Sequence, residues 1–280
     1  MIHIFTDTTA SLTEDVTQQH YITVIPQVII FGEESYMEGL EIDHETFMRR
    51  LRVSKVLPTT AAPPPKLFVD LISARAEPGD TFICIHPSAE LSGSVRAALT
   101  AAAELPDVDI RVIDTRTIAG PMATLALLAA QWAEAGVDAD AIVSRLQAMI
   151  PRAHIYFLVD TLEYLQKGGR IGGAAALIGS VLQIKPILEL RNGIIQPLER
   201  ERTQRKAQAR LKELVLAAAA RGPESYLSVL QAGAPDAAEA LADDLGQQLG
   251  VPDVMLMELT PAIVTHAGPG VLGVGFFSAA

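Results

Sequence analysis

Thr81-Phe82-Ile83-Cys84-Ile85-His86-Pro87-Ser88-Ala89-Glu90-Leu91-Ser92-Gly93-Ser94 is the stretch whose reading decides the fold of this chain. Its first six residues form an apolar, β-branched run that reads as a strand, and Cys84 inside it reads as a small core residue. A Ser-Gly turn then opens a helix over 94–105, and a second strand follows at 110–114. Strand, turn, helix and strand in that order are the repeating unit of an α/β layer architecture.

The same alternation extends outward. A short strand at 2–5 precedes Ser11-Leu12-Thr13-Glu14, which matches a capping box opening a helix. Residues 22–31 look like a strand, with Pro26 marking an edge or a break. Asp43 is placed to cap a helix over 44–52. Four prolines fall within the nine residues 57–65. They remove donors and fix φ, so no regular element is expected there. Helices are predicted over 66–76, 121–135 and 139–149.

Beyond a domain boundary at 151–153 come a strand at 155–159, a helical stretch stopped by Gly168-Gly169, and a small-residue helix over 174–182. Asn192-Gly193 between apolar runs at 184–190 and 194–198 predicts a β-hairpin. Helices over 204–221 and 235–249 and strands at 226–231, 254–259 and 271–277 complete the pattern. The expectation is two α/β domains. Residues 1–152 carry a mainly parallel sheet and a proline-rich insertion near 57–65; residues 153–280 carry a mixed sheet with the hairpin at 184–198.

Composition narrows the function. With 22 basic and 33 acidic residues the net charge is −11. Such a surface repels nucleic acid, and no basic stripe interleaved with aromatics is present. A single cysteine fits a reducing compartment. The first residues enter a strand pattern without a basic leader, and apolar runs such as 118–130 fall short of the about 20 residues a membrane span needs. A cytoplasmic protein with no integral membrane segment is expected. There is no Walker A pattern, no Gly-x-Gly-x-x-Gly between strand and helix, no nucleophile elbow and no paired cysteines. Neither a cofactor nor a metal is expected.

Polar clusters sit where open α/β sheets bind ligands, beyond the carboxyl ends of strands. Thr6-Asp7-Thr8-Thr9 follows the first strand, Ser88 and Ser92-Gly93-Ser94 follow the strand at 81–86, and Asp114-Thr115 ends another. Hydroxyls and free amides at a helix start together favour an anion. In Leu165-Gln166-Lys167-Gly168-Gly169-Arg170 a helix is stopped by two glycines, and the arginine beyond them presents a permanently charged planar fork. His266 stands at the lip of a second turn, Gly268-Pro269-Gly270. Plain alternatives stand beside these readings. Thr8, Thr9, Ser11, Ser88 and Ser92 also suit helix caps, Asp7 and Asp114 suit turns, Gly168-Gly169-Arg170 suits ordinary C-capping, and His266 suits a local turn. The cluster from Arg200 to Lys212, interleaved with Glu199, Glu201 and Glu213, reads as an ion-paired helix face or as a docking surface for an acidic partner. The small residues Gly172 to Ala176 and Gly179 fit either close helix packing or room for a ligand.

In order along the chain, Phe5-Thr6-Asp7-Thr8-Thr9-Ala10, Pro58-Thr59-Thr60, Leu91-Ser92-Gly93-Ser94, Val112-Ile113-Asp114-Thr115, Leu162 through Ile171, Ile184-Lys185-Pro186-Ile187-Leu188 and His266-Ala267-Gly268-Pro269-Gly270 resemble the DegV family of bacterial fatty-acid-binding proteins, including its FakB-type subunits. The resemblance implies a two-domain α/β fold that buries one long acyl chain. It implies that Thr60, Ser92 and Gly93 hold the carboxylate, with Arg170 and His266 flanking it. It also implies that a separate ATP-dependent fatty acid kinase phosphorylates the bound acid, with Arg170 and His266 assisting the transfer. Where the family usually continues Thr-Ser-Gln-Pro, this chain has Thr60-Ala61-Ala62-Pro63; Pro87-Ser88 replaces Ser-Ser, and Ser94 replaces threonine. Two other readings stay open: an esterase-like enzyme with Ser92 as nucleophile and His266 as base, and a regulatory module that binds lipid without using it.

Overall fold

The computed structural model describes residues 1–178 and 184–279. Contacts divide the chain into two compact units, Met1–Ile118 with Met122–Pro151, and Ala119–Pro121 with Arg152–Ala280.

The first unit contains β1 (Ile2–Asp7), α1 (Glu14–Gln19), β2 (Thr23–Ile25), β3 (Val28–Phe31), β4 (Glu34–Met37), α2 (His44–Val53), β5 (Thr59–Ala61), α3 (Pro65–Ser73), β6 (Thr81–His86), α4 (Ser94–Glu104) and β7 (Asp109–Asp114), followed by α5 (Ala119–Glu134), whose first three residues group with the second unit, and α6 (Ala139–Met149). Four strands in the order β2-β1-β6-β7 form a wholly parallel sheet. The core on one face joins Phe5 and Ile25 from this sheet to Phe68 and Ile72 of α3 and Ala98 of α4, with Cys84 fully buried among them. Alternating strands and helices thus give the parallel layer the sequence predicts.

Three local expectations are corrected. Thr59–Ala61 does form a strand, antiparallel to β3, in a small sheet of order β4-β3-β5. The prolines at 58 and 63 bracket those three residues, so the missing donors fall outside the ladder. The strand expected over 22–31 is two strands, because Pro26 ends β2 and β3 then joins the small sheet. Ser11 opens no capping box. It adopts a left-handed conformation (φ 52°) that closes a short 3-10 turn at Thr8–Ala10, and α1 starts at Glu14 behind Thr13.

The second unit contains β8 (Ala153–Leu158), α7 (Glu163–Lys167), β9 (Lys185–Arg191), β10 (Ile194–Glu201), α8 (Gln204–Ala218), β11 (Ser228–Gln231), α9 (Pro235–Leu249), β12 (Met255–Glu258), α10 (Pro261–Ala267) and β13 (Leu272–Phe277). Its sheet has the order β10-β9-β8-β13-β11-β12, antiparallel throughout except for β11 with β12. This is the mixed sheet the sequence predicts. The hairpin turns at Asn192 and Gly193, both at positive φ as the Asn-Gly pair requires. Ile187, Leu158, Val274 and Phe276 from the sheet meet Leu211 and Val215 of α8 in the core.

The small-residue helix expected over 174–182 is a 3-10 turn, Gly172–Leu177; residues 179–182, Gly179 among them, lie outside the described residues. A side chain at Gly172 would collide with the backbone carbonyl of Ile195 in β10, so this glycine serves close packing, whereas one at Gly173 would meet only the movable amide of Gln196. In the basic cluster, Arg210 pairs with Glu199 and Glu213, and Lys212 with Asp244.

Candidate functional site

The predicted site residues fall into two clusters, one in each unit. The first is built at the carboxyl ends of β1 and β6. Asp7 and His86 end those strands, are fully buried, and face each other with Oδ2 and Nδ1 3.0 Å apart. The Thr9 backbone N–H and hydroxyl both donate to the other oxygen of Asp7, at 3.0 and 2.5 Å. Burial pushes the Asp7 carboxyl up, but the hydrogen bond and charge of His86, with the hydroxyls of Thr9 and Ser94, outweigh it and hold the group below the ordinary carboxylate value.

Ser94 begins α4 and is fully buried, whereas Ser92 and Gly93 before it are half-buried. The Ser92 hydroxyl lies 3.1 Å from that of Ser94 and accepts the Ser94 N–H at 3.3 Å. The buried amide of Gln27 donates to Ser94 Oγ at 2.8 Å. Gln27's own N–H bonds Thr8 Oγ1 at 3.1 Å, and the Thr8 hydroxyl donates to buried Glu38.

Thr60 lies at the middle of β5, paired with Ile29. Two residues on, Ala62 touches the serine turn: a β-carbon at Gly93 would lie 3.1 Å from that of Ala62. The segment carrying Thr60 and the turn carrying Ser92 are therefore neighbours. A glycine at 93 and a small side chain at 62 permit the approach.

The second cluster is built on α7 and α10. Gly168 ends α7, and Gly169 takes a left-handed conformation (φ 72°) that turns the chain out of the helix. Arg170 is held at both ends of its length. Its N–H donates to Leu165 O at 2.9 Å, and Nη1 donates to Gly168 O at 2.6 Å. His266 occupies the last turn of α10, a helix the sequence reading missed although Thr260-Pro261 is a standard N-terminal signal. Gly268, at φ 81°, brings the chain past the ring of Tyr164 of α7, where a side chain would collide. Burial pushes the His266 imidazole down to about 4, and the nearby charge of Arg170 adds to the effect. A permanent cation thus stands beside a neutral imidazole.

In the first unit Ala62, two residues beyond Thr60, lies against Gly93 next to Ser92, and in the second Arg170 stands near His266. Sequence reasoning missed Gln27, whose only signal is its place after Pro26, and read His86 and Asp7 separately. A surface groove of about 650 Å³ along α9 and β12 is lined by none of these residues. Among the described residues no cluster of His, Cys, Asp and Glu is placed to hold a metal, and no helix is long and apolar enough to cross a membrane.

The model of the DegV family, described as uncharacterised protein, matches residues 1–279. A DegV domain-containing protein of Streptomyces coelicolor is 42% identical over 275 residues, covering 98% of this chain and 97% of that one. Protein DegV of Bacillus subtilis is 32% identical over 274 residues, with 98% of both covered. Among solved structures, a DegV family protein from Thermus thermophilus, described as binding fatty acid, superposes with a TM-score of 0.91 at 30% identity over 99% of both chains. Bacillus subtilis DegV, described as a fatty acid binding protein, gives 0.89 at 31% identity, again over 99% of both.

Proposed function

This chain belongs to the DegV family, and from that premise we propose that it binds one long-chain fatty acid, buries the acyl tail, and holds the carboxyl group at Thr60 and the Ser92–Gly93 turn. The observation that carries the reading is the contact of Gly93 with Ala62, which makes neighbours of two hydroxyl-bearing segments in front of a buried polar network. Full-length likeness to solved structures described as fatty-acid-binding supports the ligand class. Burying the tail contributes about 0.8 kcal/mol per methylene. A carboxyl group taken from water must find hydrogen bonds, which the hydroxyls supply.

Arg170 and His266 serve a later step, transfer of a phosphoryl group from ATP to the bound carboxyl by a separate kinase, giving an acyl phosphate. The absence of a nucleotide motif in the sequence supports a partner that brings the ATP. An arginine with fixed charge is suited to a transferring phosphoryl group. In this reading the protein works in the cytoplasm, where ATP is available, and does not itself catalyse the transfer. Against an esterase, the Ser92 hydroxyl meets Ser94 rather than an imidazole.

Lipid extraction and mass spectrometry of the purified protein test the reading. One equivalent of free fatty acid supports it. An empty protein that hydrolyses model esters overturns it.

A further inference from the structure

We propose that Ser94 is a positioning residue for the head group, passing the order of the buried network around Gln27 and Asp7 to the hydroxyl of Ser92. The inference rests on the reading that Ser92 contacts the ligand's carboxyl group, and goes beyond it by naming what sets the direction of that hydroxyl.

Ser94 has one hydroxyl proton and two lone pairs. The proton goes to the Asp7 carboxylate, and Gln27 Nε2 occupies one lone pair at 2.8 Å. The Ser92 hydroxyl at 3.1 Å turns to the other until a ligand carboxylate accepts its proton, while the Ser94 N–H keeps its hold on Ser92 Oγ at 3.3 Å. Behind Ser94 lies the Asp7 carboxylate, itself fixed by His86 and by both donors of Thr9. Gln27 is anchored at its backbone by Thr8, which is in turn bonded to Glu38. Asp7, His86, Gln27, Glu38 and Ser94 are all buried, with exposures of 0, 0, 3, 3 and 0%. The bonds among Asp7, His86, Thr9, Gln27 and Ser94 are buried away from water, so that part of the network is stiff.

Ser92 is half-buried, and its hydroxyl meets that network at the Ser94 hydroxyl and N–H. A serine hydroxyl otherwise has three staggered positions. Contact with the Ser94 hydroxyl and N–H selects one of them before a ligand arrives, so binding loses less rotational freedom.

The test is the release of radiolabelled oleate from the full chain into phosphatidylcholine vesicles, with Ser92→Ala, Ser94→Ala, Ser94→Thr and the double alanine variant. Loss of the hydroxyl at 94 is expected to speed release roughly three- to tenfold. Ser94→Thr, which keeps the hydroxyl, should stay within about twofold of wild type on the same argument. In the Ser92→Ala background, Ser94→Ala should add nothing, because its effect passes through Ser92. A purely structural role would lower the melting temperature without this coupling. Independent, multiplying effects of the two alanine substitutions overturn the proposal, as does wild-type release from Ser94→Ala. A wild type that takes up no oleate overturns the fatty-acid reading as well, so the two failures are distinct. Should Ser94→Ala not fold, Gln27→Met breaks the same network one bond further back and carries the same expected coupling to Ser92.

Discussion

A β-carbon placed on Gly168 would fall 2.3 Å from Nδ1 of His266, so the residue that ends α7 is also the surface on which the imidazole of α10 rests. The two helices are registered to each other at this point, and Arg170 leaves the chain two residues later. Gly168 has φ −75°, a value any residue adopts. Only the space is lacking. Gly168→Ala is therefore expected to displace the imidazole and lower stability by about 1–3 kcal/mol, measured by urea denaturation. An unchanged midpoint together with an unchanged His266 ring signal in NMR would refute the contact.

The depressed His266 value fixes the sign of a pH effect. In the folded protein the imidazole stays neutral down to about 4, whereas an unfolded chain protonates it near 6.5. Its contribution to stability is full above 6.5 and is lost as pH falls from there towards 4. His266→Gln should flatten the stability curve across that window. Arg170→Gln should raise the imidazole's pKa by removing the neighbouring charge, and an NMR titration that finds no upward movement would count against the pairing.

Substitutions in the two clusters should separate in effect. Ser92→Ala removes one hydrogen bond to the bound head group and is expected to weaken fatty acid retention by about 1–2 kcal/mol, roughly five- to thirtyfold. Arg170→Ala should leave retention near wild type and chiefly damage acyl phosphate formation with an ATP-dependent fatty acid kinase. Equal kinase turnover by Arg170→Ala and wild type would remove Arg170 from the transfer.

Burial pushes the Cys84 thiol up to about 12, and its side chain lies in the core of the parallel sheet. It should resist iodoacetamide at pH 8 and react only as fast as the first unit opens. Labelling rates measured with rising urea should track the unfolding curve. Rapid labelling of the folded protein would contradict the packing of β6.

Much of the architecture was legible because particular residues leave one local option. Pro235 and Gly250 bound α9, since one favours the first helical turn and the other accepts the left-handed conformation (φ 74°) beyond its end. Asn192-Gly193 marks its hairpin for the same steric reason. Strand β5 was hidden because a three-residue strand between prolines has no periodicity to read. Ser11 matched a capping box by composition, but the turn before it claimed its backbone. In the candidate site, Ser92, Arg170 and His266 stand out through their neighbouring glycines, whereas Thr60 is indicated only by the family resemblance. Gln27 and the Asp7–His86 pair do not stand out, because their partners lie 67 and 79 positions away. Only the folded chain reveals such pairs.

The position of β13 bears on how the molecule is made. This strand lies between β8 and β11 and bonds to both, although it comes last of the three. The parallel sheet of the first unit has all four of its strands once residue 114 has been synthesised. The other sheet remains in two pieces, a hairpin-bearing half and the β11–β12 pair, until residues 272–277 emerge. Vectorial folding on the ribosome should therefore finish in the first unit while apolar strands of the second still wait for their centre. That interval is when a nascent chain has most need of a chaperone.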